Sequence, residues 1–192
     1  MSRATLWQPL CESDPTPGEP DEVARAGKHY TSMAEEIRDQ VDRLRGLVSG
    51  TLQGCYAETL TEAAEGLSND LAETSTRYRK VGGSLQQWAP ELQEFQDEAE
   101  GLRRQAVTAQ GDMADNAVIQ QLSPVGAEPP PDAEVAAAKA RQGRYDDAQG
   151  DLGRAQGRLL DLTDRRDSAA AKIADAIRDT CDDEVANNLW DD

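Results

Sequence analysis

The chain is 192 residues long, 30% charged and 38% hydrophobic, which suits one good-sized folded domain or two small ones and excludes disorder of the whole chain. Its 37 acidic residues against 20 basic ones give a formal charge of −17, a field that repels phosphate backbones and anionic head groups, so neither nucleic acid nor a membrane surface is an expected partner. One Phe, three Trp and four Tyr leave an apolar set made mostly of Ala, Leu and Val, which fills a thin core along helix seams rather than a thick globular one.

Residues 1–20 are expected to form a proline-rich, extended arm. The stretch from Trp7 to Pro20 holds four of the nine prolines, too many for regular helix. Residues 1–20 as a whole have one basic residue and no apolar stretch, so no Sec-type signal is expected and export would need another route. No apolar run approaches the ~18 residues that span a bilayer.

Pro20, followed by Asp21 and Glu22, reads as a helix start, because Pro suits the first helical position and acids complement the positive end of the macrodipole. Val23, Gly27, Tyr30, Ala34, Ile37, Val41, Leu44 and Val48 then alternate steps of four and three, the mark of one helix face. A short Gly-bounded connection, residues 50–54, leads into a second helix. Its seam runs from Ala57 through Leu60, Leu67, Leu71, Tyr78, Leu85, Trp88, Phe95 and Leu102 to Met113. Sixteen of the seventeen seam positions are apolar, where composition alone predicts about six or seven. Gly82, Gly83 and Pro90 would ordinarily break a helix, yet the seam keeps its phase across them, so one helix of 57 or more residues is expected, with a kink allowed just before Pro90. Residues 21–122 thus form a helical hairpin turning near 50–54. Residues 123–132 are a Pro-rich linker ending in Asp132 as a helix cap, and 133–180 a third helix whose seam, Tyr145 to Ala176, is interrupted at Arg166. Residues 181–192 lose the period and read as an acidic tail or linker, with Trp190 in want of something to pack against.

Short connections force antiparallel neighbours. The fold class expected is therefore all-α: an elongated antiparallel hairpin with a third long helix packed back along the second, a three-helix rod with coiled-coil-like seams. Tyr30, Ile37, Leu67, Leu71, Tyr78, Leu85, Trp88 and Phe95 are its expected packing seam. Two-stranded ends leave that seam partly exposed, which favours a partner helix or self-association.

Chemistry-bearing residues are sparse. Cys11, Cys55 and Cys181 are far apart and odd in number, so neither a disulfide framework nor a zinc site is expected. His29 is the single histidine and reads as a solvated helix-face residue. Asp182, Asp183 and Glu184 lie in the aperiodic tail, where metal ligands have no rigid frame. Gly82 and Gly83 follow no strand, so they read as a flexible or closely packed point of a helix rather than a phosphate loop. No enzyme, cofactor or metal is expected. Trp7 lies outside every seam and must dock onto the helices or onto a partner.

The arm Leu10, Ser13, Asp14, Pro15, Pro17, Gly18, Glu19, Pro20 and Val23, the Tyr30 and Ile37 seam, and the turn Leu52-Gln53-Gly54 together resemble the N-terminal type VII secretion signal domain of actinobacterial secreted proteins and polymorphic toxins, a relative of the small WxG proteins. The likeness covers residues 7–115, and the third helix fits it less specifically. The turn stands where those relatives carry Trp-x-Gly, with Leu52 in place of the tryptophan. The tyrosine export signal of that system, Tyr-x-x-x-Asp or Tyr-x-x-x-Glu, is not met: Tyr30, Tyr56, Tyr78 and Tyr145 are followed at the fourth position by Ala34, Leu60, Gly82 and Gln149. Either a partner supplies that signal or it has another form.

The resemblance implies a non-enzymatic leader domain, cytoplasmic before export and then secreted by the type VII route. Its implied partners are the secretion-system ATPase and a small helical protein. Trp7, Pro15, Pro17, Gly18, Pro20, Leu52 and Gly54 would carry recognition. The alternative is an intracellular coiled-coil adaptor or scaffold acting through homo-oligomerisation.

Overall fold

The structure, a computed structural model, describes residues 6–51, 56–117 and 131–182. It is all-α, with three helices: α1 Pro20–Thr51, α2 Ala57–Asn116 and α3 Asp132–Asp182. There is no strand among the described residues.

Each helix starts where local chemistry satisfies its first free N–H groups. The Glu19 carbonyl accepts from the amides of Glu22 (3.0 Å) and Val23 (3.1 Å), with Pro20 in the first helical position and Asp21 and Glu22 in the first turn. Helix α2 opens on the Tyr56 carbonyl, 3.1 Å from the Leu60 amide. At α3 the opening carbonyl is that of Pro131, which accepts from Glu134 (2.9 Å) and Val135 (3.2 Å). Asp132 is therefore already helical, one residue further in than a cap, and serves the first turn by its charge. Helix α2 continues through Pro90 for 60 residues without a break. Most of the connection expected at 123–132 and of the tail at 181–192, Trp190 included, lies outside the described residues.

The chain divides into two compact units: Met1–Pro17 with Glu94–Arg166, and Gly18–Gln93 with Asp167–Asp192. We call them the arm unit and the hairpin unit. Helices α2 and α3 contribute to both, so the units cut across the expected division into arm, hairpin and third helix.

In the hairpin unit α1 runs antiparallel to the first part of α2. Ser75 Oγ donates to the Ala34 carbonyl at 2.7 Å, Gln86 Nε2 to Thr31 Oγ1 at 2.6 Å, and Arg45 Nη2 to Asn69 Oδ1 at 3.4 Å. The deepest line steps by seven residues on each helix: Gly27, Ala34 and Val41 on α1, and Ser68, Ser75, Gly82 and Ala89 on α2. These residues are small because the main chains nearly touch. A Cβ on Gly82 would stand 2.8 Å from the Gly27 carbonyl oxygen and 2.9 Å from the Thr31 nitrogen, and a Cβ on Gly27 would stand 3.0 Å from the Gly82 carbonyl oxygen. Bulky side chains on the contact line would hold the helix axes at the usual ~8–10 Å or more.

Part of the expected seam is corrected: on α2, Leu67 and Trp88 lie one position N-terminal to the buried Ser68 and Ala89, whereas on α1 the expected positions Gly27, Ala34 and Val41 are themselves the buried line. Leu67 is 52% exposed, whereas Ser68 beside it is 1% exposed. Tyr30 is also exposed, its ring against Tyr78 at a centroid distance of 5.6 Å. Ile37, Leu71, Tyr78, Leu85 and Trp88 are half-buried.

In the arm unit the second part of α2 runs antiparallel to α3, with Arg165 Nη2 on Glu98 Oε1 and Arg144 Nε on Asn116 Oδ1, both at 2.7 Å. Ala99, Leu102 and Ala106 from α2 and Ala155, Leu159 and Leu162 from α3 form an apolar cluster. Trp7 and Leu10 from the arm complete it, with Cys11, Phe95 and Leu152 packed on its margin. The Arg165 guanidinium lies over the Phe95 ring, 5.8 Å from its centroid.

Candidate functional site

The arm is the part of the chain whose sequence is least explained by helix packing, and its local structure is built from its own polar groups. The Trp7 carbonyl accepts from the Leu10 amide (2.9 Å) and the Cys11 amide (3.1 Å), closing a turn that contains a cis Gln8-Pro9 peptide. Asp14 Oδ1 accepts from the Thr16 amide at 2.9 Å, the side-chain-to-backbone turn that Asp forms readily. The arm is thus folded into turns rather than extended. Gly18 follows at φ 124°, a conformation that L side chains rarely adopt.

Prolines lack N–H groups, so a proline-rich segment has carbonyls in excess of donors, and buried carbonyls need partners. Side chains of α2 and α3 supply them. Gln96 Nε2 donates to the Thr16 carbonyl (3.1 Å) and Gln156 Nε2 to the Pro9 carbonyl (3.3 Å), while Arg166 Nη1 donates to the Pro15 carbonyl. Trp7 is 3% exposed and Thr16 is 0% exposed. The interruption of the third seam at Arg166 and the buried Gln96 thereby gain a cause: both hold the arm.

The residues expected to carry recognition fall into three groups. Trp7 is in the apolar cluster, and Pro15 is half-buried with its carbonyl bonded. Pro17 and Gly18 are exposed, and Pro20 is the half-buried first residue of α1. Leu52 and Gly54 lie outside the described residues. Sequence reasoning missed Thr16, Gln96 and Gln156 as members of the site; the misplaced polar residue at 166 was the available hint.

The Cys11 thiol is pushed above its ordinary range by burial, opposed by a backbone hydrogen bond from Ser13 and reinforced by the Asp14 carboxylate. Beside the arm, α2 and α3 frame an open groove of about 540 Å³ lined by Glu98, Gln105, Arg158, Asp161 and Arg165, charges of both signs. The hydrogen bond that Arg165 donates to the Glu98 carboxylate, with the attraction of that charge, holds the Arg165 guanidinium pKa above its ordinary value. Among the described residues no three of His, Cys, Asp and Glu converge as a metal site requires, and no helix is long and apolar enough to cross a membrane. No family model matches this chain, and neither a curated protein nor a solved structure matches it.

Proposed function

We propose that the chain is a non-enzymatic export and recognition module, a leader domain for type VII secretion. It is presented folded to the secretion ATPase, alone or with a small helical partner. The observation that supports this reading most is the docked arm. The segment carrying the likeness to secretion signal domains is held in place by Trp7, Thr16, Gln96 and Arg166, and it leaves Glu12, Ser13, Pro17 and Glu19 exposed for a partner to read. The all-α hairpin with an antiparallel α1 and α2 suits the same role.

Because deleting residues 7–20 also removes Trp7 from its cluster, the discriminating experiment adds a variant that spares the packing. Secretion from the native host is compared for wild type, the deletion, Gly54→Asp, and the triple variant Glu12→Lys/Ser13→Ala/Pro17→Ala. Loss of export in all three, with helicity retained in the triple variant, is the expected result. Unchanged export of the deletion refutes the proposal.

A second reading, an intracellular coiled-coil adaptor, draws on the exposed Leu60 and Leu67 in the hairpin unit. It requires a stable homo-oligomer by light scattering and no protein in the culture supernatant.

A further inference from the structure

The short segment between the arm and α1 is conformationally restricted. Pro15, Pro17 and Pro20 each hold φ near −65° and bias the residue before them towards extended backbone. Gly18 is the one described residue with positive φ, and a Cβ on it would stand 3.1 Å from Leu92 Cδ2. A side chain at this position is therefore strained in the linker conformation that accompanies the docked arm.

The contacts that hold the arm are indifferent to its covalent origin. Its three polar tethers run from side-chain donors on α2 and α3 to main-chain carbonyls of Pro9, Pro15 and Thr16. Its two anchors, Trp7 and Leu10, enter a cluster made otherwise of helix residues. A cleft that fits this segment from its own chain fits the identical segment from another.

We propose that the arm is an exchangeable strap: the cleft formed by Phe95, Ala99, Leu102, Leu159 and Leu162 is a peptide-binding site for the segment Trp7 to Thr16, supplied in cis or by a second copy of this chain. Reciprocal exchange gives an arm-swapped dimer, which closes with twofold symmetry. In cis the short linker provides an effective concentration on the order of millimolar, so the closed monomer dominates in dilute solution. A side chain at position 18 strains the linker of the closed monomer and so favours exchange. The inference is independent of any role in export.

The test uses full-length chains in size-exclusion chromatography with light scattering. Wild type is expected as a monomer, Gly18→Val as a dimer of twice the mass, and Trp7→Ala/Gly18→Val as a monomer again. A helical Gly18→Val chain that stays monomeric, or a dimer that persists in the double variant, overturns the proposal. An independent arm guards against misfolding at Gly18. A fluorescent peptide of residues 6–17 is titrated into full-length Trp7→Ala/Leu10→Ala, whose own arm has lost its anchors. Saturable binding is expected, at least tenfold weaker when the peptide carries Trp7→Ala and at least tenfold weaker to wild type, where the cleft is filled. No binding, or equal binding of both peptides, overturns the proposal.

Discussion

Gly82 and Gly83 are neighbours on α2, and the structure gives them opposite answers to the same substitution. An alanine at either gains up to ~1 kcal/mol in helix propensity over glycine. At Gly83 a new methyl meets nothing within 4 Å. The expected outcome of Gly83→Ala is a stabilisation of about 0.5–1 kcal/mol, which raises Tm by ~1–4 °C in a chain of this size. At Gly82 the methyl would stand 2.7 Å from Thr31 Oγ1, 2.8 Å from the Gly27 carbonyl oxygen and 2.9 Å from the Thr31 nitrogen. Two of those three atoms are main chain, so relief requires α1 and α2 to separate locally. Separation stretches the Ser75–Ala34 and Gln86–Thr31 hydrogen bonds, at 2.7 and 2.6 Å. Overpacking of this kind costs roughly 1–3 kcal/mol and each lost bond about 1 kcal/mol. The propensity gain offsets only part of this, so Gly82→Ala is expected to lose about 1–3 kcal/mol net and to lower Tm by roughly 2–12 °C. Thermal unfolding followed by circular dichroism distinguishes the two. A Gly82→Ala chain as stable as Gly83→Ala would mean that the helices do not approach at Gly27, and the small-residue line would lose its basis.

Trp7→Ala removes the largest side chain of the arm-unit cluster and is expected to destabilise by about 3–5 kcal/mol; denaturant titration checks it, and a loss under 1 kcal/mol would mean that Trp7 is not packed. Ser75→Ala should cost about 1 kcal/mol through its bond to the Ala34 carbonyl, whereas Ser68→Ala, whose buried hydroxyl makes no hydrogen bond among the described residues, should be neutral or stabilising. Comparison of the two variants by urea unfolding tests that order. In a Cys55→Ser/Cys181→Ser background, Cys11 should alkylate more slowly than a free thiol between neutral pH and its own raised pKa, because burial keeps it protonated and the thiolate is the nucleophile. The same shift has a definite sign for stability. Its contribution is fully present below the unfolded value of 9.0 and is lost as pH rises through the folded value, so the arm unit should weaken in alkali. Alkylation as fast as the free thiol would remove both expectations.

Much of the fold was legible because a 3.5-residue period survives any detail of packing. Steps of four and three from Val23 and from Ala57 located α1 and α2, and the unbroken phase across Gly82, Gly83 and Pro90 correctly outweighed their helix-breaking tendencies. On α1 the period also gave the buried positions Gly27, Ala34 and Val41, but on the first part of α2 it could not give the phase of the contact. Hydropathy follows bulk, so Leu67 and Tyr78 stood out, whereas the closest approach is set by the absence of bulk at Ser68, Ser75 and Gly82. The arm site was half legible. Trp7 was visibly without a place in any seam, but its place lies on helix residues far away in sequence, and no local pattern reports that Gln96, Gln156 and Arg166 would converge on the carbonyls of a proline-rich segment.

Those tethers join positions 147 and 151 residues apart, Pro9 with Gln156 and Pro15 with Arg166. A ribosome makes the tryptophan at position 7 long before it makes Leu159 and Leu162, and loop closure over such separations is slow. The nascent chain therefore carries an unsheltered indole through most of its synthesis and covers it only when the third helix emerges. A product truncated ahead of Leu159 lacks Leu159 and Leu162 of that shelter, so full burial of Trp7 marks a chain translated at least through Leu162.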